Sequence, residues 1–144
     1  MLKLRKPDIV IGDNYLHRWY IIPRNRFFNV YLHKIMKDDD DRALHDHPWW
    51  SVSFLIRGRM GERYWFHNKD RERFRWIPFL IPVFRPANGY AHRLIIFDSP
   101  VWTIFITGKR VREWGFWCPK GWKHWRDYTT GERGEKIGVG CDDE

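Results

Sequence analysis

Ala43-Leu44-His45-Asp46-His47-Pro48 and Arg85-Pro86-Ala87-Asn88-Gly89-Tyr90-Ala91-His92 carry the three histidines on which the reading of this chain turns. Residues two apart on a strand project to one face, so His45 and His47 present both imidazoles to the same side while Asp46 faces away. Their Cα atoms would stand about 7 Å apart, near enough to close on one ion if a neighbouring strand supplies another ligand. The Asn88-Gly89 pair suits a tight turn. A strand leaving it would set His92 opposite the His45/His47 strand and bring a third imidazole nitrogen to the same point.

This geometry needs strands, and the patterning around the histidines supplies them. Apolar residues recur with period two or in short runs rich in β-branched and aromatic side chains, and no helix-period stripe of useful length occurs. Strands are predicted at 15–22, 27–36, 51–57, 63–67, 74–84, 92–97, 101–107 and 113–117. Between them lie reversing residues, among them Pro23, Gly58, Gly61, Asn88-Gly89 and Gly108. Pro78 and Pro82 cannot donate to a ladder, so the 74–84 run should lie at an edge, contain a bulge or split in two. About eight short strands with tight turns predict an all-β chain, an antiparallel barrel or jelly roll with little helix. Residues 1–128 form one domain on this reading. Residues 129–144, poor in apolar side chains, read as a mobile tail.

Three residues separate His47 from Ser51, and six more separate Ser51 from Gly58. This spacing, with the Pro86-to-His92 stretch, resembles the two sequence motifs of the cupin superfamily, the RmlC-like jelly rolls, over roughly residues 27–107. The resemblance implies a cupin barrel with one divalent metal on His45, His47 and His92. Ser51 stands where many cupins carry a glutamate ligand, the second motif has one extra residue between Pro86 and Gly89, and Ile96 stands where that motif often ends in Asn. A three-histidine set without the carboxylate is similar to the sites of thiol-dioxygenase-like cupins. Three protein ligands leave positions open for water or substrate, whereas structural sites are closed by four. Redox iron suits nitrogen ligands, so Fe(II) leads among the metals, with Zn and Ni as alternatives.

Further polar residues are candidates for substrate contacts or for hydrogen bonds that orient a ligand imidazole. His33 shares strand parity with Tyr31 and Asn29, and this trio faces either the cavity or a polar surface. Ser51, Glu62, Arg85 and Arg93 complete the set. The acidic run Asp38-Asp39-Asp40-Asp41 lacks the spaced ligands and internal glycine of a calcium loop and reads as a solvated turn. The tryptophan-rich stretch from Trp114 to Tyr128 reads as packing against the outer sheet rather than as a surface for stacked bases.

The formal net charge of +8 and pI near 9.7 favour anionic partners in general. Lys and Arg are nevertheless interleaved with Asp and Glu, as on a mixed solvated surface, and no nucleic-acid motif accompanies them. Cys118 and Cys141, without CxxC spacing, read as reduced thiols. No run approaches the ~18 apolar residues needed to span a bilayer, and the expectation is a soluble, cytoplasmic protein. The function these features predict is an oxygenase-type metal enzyme acting on a small molecule. The alternative is a non-catalytic cupin that binds a carboxylate or sugar with or without metal. Strand-rich edges permit a homodimer.

Overall fold

The computed structural model describes residues 4–12, 14–38 and 43–141. Two long strands organise the chain, β5 (Ser51–Phe66) and β8 (Tyr90–Thr107), which run antiparallel along most of their lengths. The free edge of β8 is shared. Its C-terminal half pairs with β3 (Asn29–Ile35), and His92 near its start pairs with β4 (Leu44–His45). Outside β3 lie β2 (Leu16–Tyr20) and β1 (Ile9–Ile11), and outside β4 lies the hairpin of β9 (Gly115–Cys118) and β10 (Gly121–His124). On the far side of β5 are the short strands β6 (Arg73–Trp76) and β7 (Val83–Arg85). A single helical turn, α1 (Trp125–Tyr128), leads into a small hairpin of β11 (Thr129–Thr130) and β12 (Lys136–Ile137). The result is one curled antiparallel sheet with almost no helix.

The predicted reversal at Gly58 and Gly61, and the predicted break between the 92–97 and 101–107 strands, are strand instead. Gly58 lies inside β5 at a set of register shifts against β8, with φ +90, and a Cβ there would meet the carbonyls of Asp98 and Pro100 at 2.9 Å. It is a bulge that bends β5 over its partner, a use of glycine the sequence alone does not separate from a reversal. Likewise the 92–97 and 101–107 strands are one strand that passes through Pro100. The 74–84 run splits into β6 and β7, the prolines falling between them.

One end of the curl is closed by apolar side chains. Leu16, Ile35, Leu55, Met60, Ile77, Val83 and Val101 form this core, alternating inward along β2, β3, β5 and β8. Leu16, Ile35 and Met60 of this core also line one wall of a large cavity. Beside it the tryptophan-rich stretch packs as a second cluster, in which Phe116 and Tyr128 stack at 3.6 Å and Trp114 lies parallel to Trp125.

The cysteines are not reduced thiols. Cys118 at the end of β9 and Cys141 are joined in a disulfide across a separation of 23 residues. The segment after α1 is tied down elsewhere too. Gly140 donates its N–H to the Tyr128 carbonyl at 3.0 Å, Lys123 Nζ reaches the Gly140 carbonyl at 2.6 Å, and the Gly12 N–H donates to the Glu135 carbonyl. Residues 142–144 and the Asp39–Asp41 part of the acidic run lie outside the described residues. Among the described residues no helix is long and apolar enough to cross a membrane.

Candidate metal centre

His45 in β4 and His92 in β8 face each other as direct cross-strand partners. β4 ends at His45, yet the chain stays extended enough for His47 to turn to the same side. Ring centroids stand 4.7 Å apart for His45 and His92, 4.9 Å for His45 and His47, and 4.9 Å for His47 and His92. One ligand nitrogen from each lies within 4.8 Å of the other two, and Nε2 of His47 is 2.8 Å from Nε2 of His92. Two nitrogens at right angles on an ion with bonds of about 2.1 Å would stand about 3.0 Å apart, so this pair fits a shared ion.

Asp46 does face away from this cluster, and its role is to hold it. Its carboxylate is buried and accepts from the Gly115 N–H at 2.7 Å, Trp122 Nε1 at 2.9 Å and Arg112 Nη2 at 3.1 Å. Arg112 Nη1 also donates to the His47 carbonyl at 3.2 Å. The β9–β10 hairpin thereby locks the backbone between the two histidines.

Behind His92 lies a buried charge network. Glu62, fully buried in β5, accepts from His92 Nδ1 at 2.6 Å, from Arg85 Nε at 2.8 Å and from Arg75 Nε at 2.9 Å. The Tyr90 hydroxyl donates to the same carboxylate, and Arg85 Nη1 donates to Ser53 Oγ at 2.8 Å. Burial opposes ionisation of Glu62, but the Arg85 charge and the hydrogen bond from His92 overcome it and hold the carboxyl well below its usual range. An ionised carboxylate only accepts, so His92 must carry its proton on Nδ1 and turn the Nε2 lone pair to the cluster. This is the tautomer a metal ligand needs.

The remaining candidates divide between cavity, network and elsewhere. Glu62 and Arg85 belong to the network, and Arg85 also lines an open cavity of about 1330 Å³ that holds the three histidines. Ser51 is buried opposite Arg85 and Thr107 but is not on the cavity wall, where Ser53 stands instead. His33 lines the cavity and is buried, with Tyr31 stacked on it at 5.8 Å. Arg93, one residue from His92, falls on the other face of β8 opposite Arg63. Arg18, which is not among the residues singled out from the sequence, donates from Nε to His33 Nε2 at 2.9 Å inside the cavity. Its signal was present in β2, where Arg18 shares parity with Leu16 and Tyr20 on a largely apolar strand.

Burial holds His33 and His47 well below the ordinary imidazole value, with Arg18 adding to the effect on His33 and His45 to that on His47. An unfolded chain takes up protons on both rings below about pH 6.5, whereas the folded chain refuses them. Stability is therefore complete above that pH and falls below it, by up to about 1.4 kcal/mol per pH unit for each ring. Melting of the metal-free protein between pH 8 and pH 5 should show this decline starting near pH 6.5. A flat profile to pH 5 would show that the rings are not buried as described.

No protein-family model matches the chain, and no curated protein matches it. Similar solved structures do exist. Fe(II)-HppE with an alternative substrate superposes with a TM-score of 0.54 at 14% identity, covering 74% of this chain and 60% of that one. Hydroxypropylphosphonic acid epoxidase from S. wedmorenis gives 0.54 at 13% identity, with coverages of 74% and 59%. The DMSP lyase DddQ from Ruegeria pomeroyi DSS-3 gives 0.51 at 15% identity, with coverages of 66% and 47%. This chain thus spans three fifths or less of the length of these three structures. At such identities the likeness is one of fold, and the fold this chain shares with them is the cupin fold.

Proposed function

We propose that the chain is a metal-binding cupin that holds one divalent ion on His45, His47 and His92 and acts on a small molecule as a mononuclear oxygenase-type enzyme. The observation that carries this reading is the convergence of three imidazoles at the wall of a large open cavity. Three neutral nitrogen donors suit Fe(II), Zn or Ni, and as Fe(II) the ion would supply redox chemistry toward dioxygen. Fe(II) is the metal proposed here. The chain's own residues orient the ligands: Glu62 fixes the His92 tautomer, and Asp46 with Arg112 fixes the backbone at His47. Trp49 stacks on His47 at 4.8 Å and gives the cavity an apolar wall beside the cluster.

Anaerobic loading with Fe(II), followed by oxygen-uptake measurements across a panel of small acids and alcohols, tests the proposal. Uptake that requires both Fe(II) and one class of substrate is expected, and its loss in His45→Ala supports the assignment. Metal binding with no uptake for any compound would instead favour a binding module of the same fold.

A further inference from the structure

Arg18 is the cavity's unusual cation. Its side chain is half-buried in β2, and its guanidinium lies over the Tyr31 ring, 4.4 Å from the centroid. Nε is committed to His33 Nε2 at 2.9 Å. Arginine cannot accept, so His33 must be neutral with its proton on Nδ1, and the bond holds the guanidinium plane in one orientation. The two terminal Nη groups make no hydrogen bond or ion pair with any described residue. Among the described residues, the arginines nearest the histidine cluster are answered, Arg85 and Arg75 by Glu62 and Arg112 by Asp46.

A guanidinium withdrawn from water without a counter-charge is costly, and a pre-oriented fork of N–H donors is the geometry that binds a carboxylate through two parallel hydrogen bonds. The surroundings agree in sign. Nine Lys and Arg residues line the cavity against three carboxylates. The path from Arg18 to the histidine cluster is also continuous, because His33 stacks on Phe105 at 4.9 Å, Phe105 meets Trp49 at 5.6 Å, and Trp49 stacks on His47.

We propose that Arg18 anchors the carboxylate of a small organic acid whose body lies along the Phe105–Trp49 wall, with its other end at the three-histidine cluster. His33 and Tyr31 are positioning residues for that anchor. The proposal rests on the reading of this cavity as a small-molecule site and names the substrate class. It does not require the metal for the anchoring contact itself.

The test is an NMR titration of the metal-free protein with benzoate and succinate, using benzamide and succinamide as uncharged matches and following the Arg18 Nε–H and Trp49 indole signals. Both acids should shift these signals saturably, with the amides weaker by about tenfold or more, the usual worth of a charge-assisted pair. Arg18→Gln should lose about the same factor, while Arg126→Gln, which removes a charge at the rim, should change affinity less than about twofold. Acids that bind no better than amides, an Arg18 Nε–H signal that does not move, or equal loss in both variants would overturn the proposal. If Arg18→Gln fails to fold, the acid-against-amide comparison on the native chain still decides it. Repeating the titration with zinc separates the two readings. Acid binding through Arg18 without zinc binding would remove the metal centre alone, and zinc binding without Arg18-dependent acid binding would remove the anchor alone.

Discussion

Glu62→Gln is expected to lower stability by about 3 to 5 kcal/mol, the usual cost of removing one partner from a buried charge network. The same change should weaken metal binding about 10- to 100-fold. Both effects arise from one atom group. Glu62 neutralises the buried Arg85, and it accepts a hydrogen bond from the Nδ1–H of His92. The amide leaves the Arg85 guanidinium without a counter-charge in a site where its exposure is only 2%. It also replaces a strong acceptor for His92 with a weaker one, so the Nε2 lone pair is no longer held toward the cluster. Urea unfolding gives the first quantity and zinc titration of the folded variant gives the second. Glu62→Asp, which keeps the charge but shortens its reach, should recover part of the stability and less of the affinity. If Glu62→Gln matched the native chain in both measurements, the network would have no role in either.

Breaking the Cys118–Cys141 disulfide should destabilise the protein by about 3 kcal/mol, from the loop-closure entropy of a chain cross-linked over 23 residues. For a domain of this size that is about 10 °C in melting temperature. The bond does more than hold a tail, because Arg133, Glu135 and Ile137 on the segment it closes line the same cavity as the histidines. Reductant should therefore lower the melting temperature of the oxidised protein, and Cys141→Ser should do the same without reductant. Thiol titration of the unreduced, denatured protein should find no free cysteine. Two free thiols and a melting temperature indifferent to reductant would contradict the pairing.

What the amino-acid order discloses, and what it withholds, follows from how local each feature is. His45 and His47 are set by strand geometry within a few residues, and His92 by the Asn88-Gly89 turn just before it, where Gly89 takes φ +70. Such features are legible because one or two turns of chain determine them. Gly58 was misread because a reversal and a bulge both ask for a glycine at positive φ, and only the long partner strand β8 distinguishes them. The disulfide was missed for a different reason. Its sulfurs meet only after the β9–β10 hairpin and α1 have folded the chain back, and nothing in the spacing of two cysteines reports that return. Arg18 belongs to the same class, since its meaning depends on β2 lying beside β3, where it pairs in register with His33.

One ion held by three imidazoles is the centre of the proposed chemistry. The most direct measurement is zinc binding by calorimetry to the native chain and to His45→Ala, His47→Ala, His92→Ala and His33→Ala. One ion per native chain is expected. Each of the first three variants should lose most of the affinity, and double variants should lose little more, because the first removal already leaves too few ligands to hold the ion against water. His33→Ala should bind as the native chain does, and affinity should fall toward acid pH, where protons compete with the ion for the same nitrogens. A His92→Ala protein that retained one tightly bound zinc would contradict the account.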